Sequence, residues 1–124
     1  MCKNFFSIFN LPISIKIDVS KLDLKYKEVV KNSTTEEMFE ITNAYNTLRS
    51  TISRGEHILK IMNVDYSEIQ MPEDFFENII DLEKDKMKNL SDEIFQGIDE
   101  IVTKENIQNF ATKFMMYKYT TNHL

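Results

Sequence analysis

The feature that most constrains the fold is a stripe of apolar and small side chains between Glu36 and Met62. Its members are spaced alternately four and three residues apart: Ile41, Tyr45, Leu48, Ile52, Gly55, Leu59 and Met62. On a helix this spacing places all seven on one face, and a second line widens that face: Phe39, Ala44, Ile58 and Ile61. The stripe favours a buried core helix over an intermolecular coiled coil. Arg49-Ser50-Thr51 offers a joint, so one long helix and two successive helices are both compatible with it.

Composition favours an all-α protein. The 124 residues include only two Gly and two Pro, and 42% of them are hydrophobic, which is typical of a helix-rich globular chain. The length suits one medium domain or two small helical ones. The apolar stretch from Phe5 to Ile15 is too short to span a bilayer and is interrupted by Asn10 and Pro12. It is predicted to begin a domain, and no membrane association is expected.

Capping residues divide the rest of the chain into helices. The candidate N-caps are Asn4, Asp18 or Ser20, Ser33 or Thr34, and Thr103. Pro72 suits the first turn of a helix that runs to Glu83, and a further helix is predicted over roughly 90–102. The polar segment 63–70 marks the boundary. We therefore expect two units, 1–63 and 71–124, the second a small antiparallel helical bundle, joined by a helix over 52–62.

The chain lacks the residue patterns of common active sites. Two separated glycines cannot form a glycine-rich phosphate loop. Cys2, His57 and His123 are too few to assemble a zinc site from Cys and His. We predict no catalytic residue, no metal site and no cofactor, and we expect that the protein is not an enzyme.

Charge is divided unevenly between the two halves. Residues 1–63 contain nine Lys/Arg and seven Asp/Glu, whereas residues 64–124 contain six Lys/Arg and thirteen Asp/Glu. Two halves that face different partners would explain this division, and so would a solvated acidic helix surface. The absence of a basic stripe across the chain argues against nucleic acid as a partner.

Two surfaces are candidates for protein binding. Phe75 and Phe76 are consecutive, so they point about 100° apart, and Ile79 and Ile80 repeat the pattern one turn later. Such a helix is either wedged between two others or leaves one side for a partner, and we predict that this apolar ridge is exposed. On the second helix four lysines stack in two pairs: Lys21 with Lys25, and Lys27 with Lys31.

The order of segments resembles the HscB family, the J-domain co-chaperones of iron–sulfur cluster assembly. The start of the chain, Asn4 to Pro12, is similar to the family's aromatic pair, short helix and Leu-Pro. Asn43 to Arg49 is the closest match, and Ser53 to Leu59 resembles the Arg-Ala-Glu-Tyr-Leu-Leu segment that follows it. Residues 72–83 resemble the start of the family's C-terminal domain. The resemblance therefore implies a J-domain-like first half and an HscB-like C-terminal bundle.

This resemblance implies two protein partners. The J-domain of the family docks on an ATPase chaperone of the DnaK/HscA type, here through Lys21, Lys25, Lys27 and Lys31. The C-terminal domain binds an IscU-type scaffold protein, here through Phe75, Phe76, Ile79, Glu83 and Tyr117, with Glu83 supplying orientation. Ile80 stands where the family tends to have an acidic residue. The expected compartment is the bacterial cytoplasm, since no Arg-rich presequence is present, or alternatively the mitochondrial matrix.

The chain also departs from the family. The His-Pro-Asp tripeptide that triggers ATP hydrolysis in the chaperone is absent, because residues 31–36 read Lys-Asn-Ser-Thr-Thr-Glu. The C-terminal domain is shorter and its last helix is clipped. We therefore expect scaffold binding without stimulation of the ATPase. The alternatives are a helical binding module with another partner and a degenerate structural relic without chaperone activity.

Overall fold

The computed structural model describes residues 3–122, and all regular structure in that range is helical. The helices are α1 (Phe5–Ile8), α2 (Val19–Lys31), α3 (Thr35–Arg49), α4 (Thr51–Ile61), α5 (Phe75–Ile79), α6 (Lys84–Gln96) and α7 (Ile107–Asn122), with a 3₁₀ turn at Tyr66–Glu68. Because these residues contain no strand, the predicted all-α class is confirmed. Cys2 and His123 lie outside the described residues.

The chain divides into two compact units between Asn63 and Val64. Unit 1 contains α1 to α4, and unit 2 contains α5 to α7. The prediction that the helix over 52–62 joins two domains is wrong, because α4 belongs to unit 1 and buries several side chains there. The buried residues of α4 are Arg54, Gly55, His57, Ile58 and Leu59.

The stripe over 36–62 is carried by two helices that meet at Ser50. Ser50 has an extended backbone, with φ −93° and ψ 136°, so the helical hydrogen bonding of α3 stops there and α4 begins afresh. The Ser53 hydroxyl donates to the Thr47 carbonyl at 2.6 Å and thereby bridges the joint. Of the two arrangements compatible with the sequence, the structure has two successive helices.

The core face of α3 is narrower than the sequence pattern predicted. Ile41, Ala44 and Leu48 are buried, but Phe39 is 79% exposed. Two helix positions correspond to about 200°, so Phe39 lies almost opposite Ile41. Including Phe39 in the apolar face was therefore wrong.

Short polar side chains fix the helix ends of unit 1. Asn4 accepts from the Phe6 N–H at 3.0 Å, and Asp18 accepts from the Ser20 N–H at 2.9 Å. Thr34 accepts from the Glu37 N–H at 3.2 Å. These bonds satisfy backbone donors that the first turn of a helix leaves unpaired, and they confirm the predicted caps Asn4, Asp18 and Thr34.

The connection between α2 and α3 is three residues long, Asn32 to Thr34. The Asn32 side chain donates to the Glu28 carbonyl at 3.2 Å, and the Ser33 hydroxyl donates to the Val29 carbonyl at 2.5 Å. Together with the Thr34 cap, these bonds use every side chain of the connection to finish one helix or to start the next.

Unit 2 is built on the pair α6 and α7, which pack against each other. Phe95 of α6 contacts Tyr117, while Gly97, further along the chain, accepts from Lys113 at 2.7 Å. From Phe95 to Gly97, the C-cap residue of α6, the contact on α7 moves back from Tyr117 to Lys113, so the two helices are antiparallel. Thr103 and Asn106 hydrogen-bond reciprocally across the turn that precedes α7. Because α7 begins at Ile107, Thr103 lies before the turn and is not the N-cap that was predicted.

The boundaries before α7 differ from the prediction. The helix expected to run to Glu83 ends at Ile79, and α6 begins at Lys84 rather than near Leu90. Glu83 has an extended backbone, with ψ 152°, and acts as the N-cap residue of α6. Pro72 lies in a turn before α5, where its carbonyl accepts from the Phe75 N–H at 3.1 Å.

Candidate protein-binding surfaces

The short helix α5 has a buried side and an exposed side. Phe75 is 5% exposed and Ile79 is 3% exposed, and with Met87 they form an apolar cluster of unit 2. Partly buried side chains complete that cluster: Met71, Leu82, Leu90, Ile94, Met116 and Tyr119. The prediction that Phe75 and Ile79 belong to an uncovered ridge is therefore wrong, because residues four apart on α5 face the interior of unit 2.

The neighbouring pair on α5 is exposed. Phe76 is 46% exposed and Ile80 is 77% exposed, and they too are four positions apart. The Phe76 ring is held edge-on between Phe75, at 5.4 Å between centroids, and Tyr119, at 5.1 Å. We call Phe76 and Ile80 the α5 ridge. The exposure predicted for Phe76 is confirmed, and Ile80 joins it.

Exposed carboxylates flank the α5 ridge in the sequence. Five exposed acidic residues lie within eleven positions and no basic residue lies among them: Glu73, Asp74, Glu77, Asp81 and Glu83. Glu83 makes no capping hydrogen bond through its side chain. An exposed apolar pair inside an acidic segment suits a partner that offers apolar side chains flanked by Lys or Arg.

The structure does not bring Tyr117 to the α5 ridge. Tyr117 is half-buried and its ring contacts Phe95 at 5.2 Å, whereas Tyr119 is the tyrosine that contacts Phe76. Residues two apart on a helix point about 200° from each other, so these two tyrosines lie on opposite sides of α7. Tyr119, which the sequence analysis did not select, occupies the position beside α5.

The lysine face of α2 is present in the structure. Lys21, Lys27 and Lys31 are exposed, and the half-buried Lys25 directs its ammonium to the Asn10 carbonyl at 3.4 Å. Leu24 lies on the same side of the helix and is 63% exposed. Leu24 was not predicted as part of this surface, although it falls outside the apolar rhythm of Leu22, Tyr26 and Val29 and that pattern already indicates its exposure.

Tyrosine contacts hold α2 against α3. The rings of Tyr26 and Tyr45 stack with centroids 4.1 Å apart. The Tyr45 hydroxyl donates to Asp23 at 2.5 Å, and this hydrogen bond, with burial, raises the pKa of Tyr45 above its ordinary value. Asp23 also lies 4.0 Å from the Arg49 guanidinium. The lysine face is thus presented on a helix whose opposite side is fixed.

The outer face of α3 carries a second apolar feature. A groove of about 480 Å³ is lined by Thr35, Met38, Phe39, Thr42, Asn43 and Asn46. Its apolar content comes from Met38 and from the largely exposed Phe39. The sequence pattern does not reveal this face, because Phe39 falls within the apolar line that predicts the core.

Two kinds of site are not found among residues 3–122. No three side chains of the metal-binding types His, Cys, Asp and Glu come together there. No helix in that range is both long enough and apolar enough to cross a bilayer.

Comparison with known proteins gives a partial match. No protein-family model matches the sequence, and no solved structure matches it. A curated relative from Shewanella loihica, described as "Co-chaperone protein HscB homolog", is 28% identical over 79 residues. The match covers 52% of this chain and 46% of the relative, so the chain spans about half the length of the curated relative it matches. These findings support an HscB-like relationship over part of the chain.

Proposed function

We propose that this protein is a non-enzymatic adaptor of the co-chaperone type that binds an IscU-type iron–sulfur scaffold protein. The observation that carries the proposal is the 79-residue match to a relative described as a co-chaperone HscB homolog. The resemblance in the order of segments points to the same family. In this role the iron–sulfur cluster belongs to the scaffold, and this chain holds no cofactor of its own.

The scaffold would bind at the α5 ridge. Phe76 of α5 and Ile80, the C-cap residue of that helix, are exposed apolar side chains, and five carboxylates lie around them in the sequence. Burial of the two side chains would supply affinity, and Glu83 and its acidic neighbours would orient a basic partner. Phe75 and Ile79 would act indirectly, by fixing α5 from inside unit 2.

A binding measurement with purified IscU-type scaffold tests this proposal. We expect micromolar binding of the full chain and at least tenfold weaker binding of the double variant Phe76→Ser/Ile80→Ser, since exposed apolar anchors at an interface carry much of its energy. Phe39→Ser is the control, because it removes an aromatic ring of unit 1 that is even more exposed than Phe76 and should leave the affinity unchanged.

Two outcomes would contradict the proposal. Absence of binding at micromolar concentration would leave a helical module with another partner or a structural relic. Binding that survives the double variant would move the site away from the α5 ridge.

A DnaK/HscA-type chaperone would be the second partner, steered by the lysine face of α2. Three of its four lysines are exposed, and an acidic chaperone surface would attract them. The cell compartment that goes with these partners is the bacterial cytoplasm.

Chaperone ATPase turnover should change less than twofold on addition of this protein, with or without scaffold, because the chain has no His-Pro-Asp tripeptide. A steady-state ATPase assay measures this directly. Stimulation of several-fold would show that the tripeptide is dispensable here.

A further inference from the structure

His57 is a buried titratable side chain that the proposed function does not use. It lies on α4 and is 4% exposed. Its Nε2 accepts from the Phe5 backbone N–H at 3.0 Å, and its ring stacks on the Phe5 ring with centroids 4.3 Å apart. The Phe6 ring lies 5.9 Å away on a tilted plane. His57 therefore ties Phe5, the first residue of α1, to α4.

The hydrogen bond defines the proton state of the ring. A backbone N–H is only a donor, so Nε2 must present its lone pair, and the proton of the neutral ring must sit on Nδ1. Protonation of Nε2 would place two donors against each other in a buried site. The bond to Phe5 and a charged imidazole are therefore mutually exclusive.

The charged groups around His57 do not favour an imidazolium. On α4, Lys60 lies about one turn away and Glu56 is adjacent in sequence, while Arg54 donates to backbone carbonyls. α1 has no charged side chain, and Lys3 before it pairs with Glu40 of α3. Burial and, to a smaller extent, the Lys60 ammonium lower the pKa of His57 below its ordinary 6.5.

We propose that His57 is a pH-sensitive latch, in which the neutral ring holds the Phe5 amide at the start of α1 and protonation of Nε2 releases it. Because α1 has only four residues, about one turn, its order depends on tertiary contacts. Phe6 and the C-cap residue Phe9 are fully buried and keep α1 in place, so release is confined to Phe5 and the residues before it.

The sign of the pH dependence follows from the lowered pKa. When the contact between Phe5 and His57 is open, the imidazole regains its ordinary pKa near 6.5. The latch is therefore fully closed above pH 6.5 and loses stability as the pH falls below that value. Opening of this contact should become up to about tenfold more frequent per pH unit until the pKa of the closed state is reached.

NMR on the full 124-residue chain tests the latch between pH 7.5 and 5.0. It follows the protonation of the two His57 ring nitrogens and the hydrogen-exchange protection of the backbone amides. At pH 7.5 we expect the His57 proton on Nδ1 and a protected Phe5 amide. On acidification, protonation of Nε2 and loss of Phe5 protection should share one midpoint below 6.5. The amides of α2 and α3 serve as internal references, since they should not change over this range.

Two variants separate the latch from other effects of acid. His57→Gln removes the titrating ring, so the Phe5 amide should show no pH step. His123→Gln removes the other histidine and should leave the step intact. Each of three results would overturn the proposal. They are a proton on Nε2 at pH 7.5, protection of the Phe5 amide that does not change as His57 titrates, and a pH step that persists in His57→Gln.

Discussion

At the scale of single residues, Arg54 connects separate segments of unit 1. It is 3% exposed, and its guanidinium donates to the carbonyls of Leu48, at 2.7 Å, and Ile15, at 2.5 Å. A third bond reaches the Arg49 carbonyl at 3.3 Å. The planar fork of a guanidinium reaches carbonyls in several directions at once, so Arg54 ties the end of α3 to the extended segment before α2.

Arg54→Lys should therefore lower the free energy of unfolding by about 3 kcal/mol, because one ammonium cannot satisfy three carbonyls that are spread around a guanidinium. Urea denaturation followed by circular dichroism measures the change. Arg49→Lys, at a largely exposed site, is the control and should cost less than about 0.5 kcal/mol. Equal losses for the two variants would contradict the role given to Arg54.

Asn10 has a backbone conformation that most residues avoid. Its φ is +54°, in the left-handed region, and it ends α1 while the Leu11 N–H bonds the Phe6 carbonyl at 2.9 Å. This arrangement is a common C-terminal helix cap, in which Gly or Asn is preferred.

Asn10→Ala should destabilise the protein by about 1 kcal/mol, because a β-carbon is strained in this region and alanine, unlike asparagine, has no polar side chain that offsets the strain. Asn10→Gly should be neutral or slightly stabilising, since glycine adopts the conformation freely. Thermal or urea unfolding of the pair distinguishes these signs. A destabilising glycine would show that the Asn10 side chain matters more than its backbone.

At the scale of elements, the sequence predicts the helix caps, but it does not predict which of two equivalent faces of a helix is buried. The caps at Asn4, Asp18 and Thr34 involve bonds within three residues, so the sequence carries them directly. On α5, by contrast, Phe75 with Ile79 and Phe76 with Ile80 are identical patterns one position apart. Only packing against α6 and α7 residues such as Leu90 and Met116 decides which pair is buried.

Alanine substitutions should expose this difference within α5. Phe75→Ala removes a buried ring and should cost about 3–5 kcal/mol in unfolding free energy. Phe76→Ala removes a ring that is 46% exposed and should cost about 1 kcal/mol. Chemical denaturation of both variants gives the comparison. Similar costs would mean that α5 does not have one fixed buried side in solution.

At the scale of the whole molecule, the boundary at Asn63 separates halves with different charge and different interiors. Unit 1 has an excess of two basic residues, and unit 2 has an excess of seven acidic residues. Each half has its own set of buried hydrophobic side chains. The sequence carries this division in its polar segment 63–70, whereas it does not reveal that α4 belongs wholly to unit 1.

Residues 1–63 and 64–124 should therefore each fold when expressed alone, with helical circular dichroism spectra that sum to that of the full chain. Domains of about 60 residues are only marginally stable, so both fragments should melt cooperatively but at modest temperatures. A fragment without helical signal would show that the two units depend on each other.

The three-residue connection between α2 and α3 limits which substitutions and insertions this part of the protein tolerates. Asn32, Ser33 and Thr34 direct their side chains to backbone groups of α2 and α3, so no substitution there comes without loosening a helix end. Any longer loop inserted at this site would have to supply new caps on both sides. Point mutations at Asn32, Ser33 and Thr34 alone would leave the facing ends of α2 and α3 frayed.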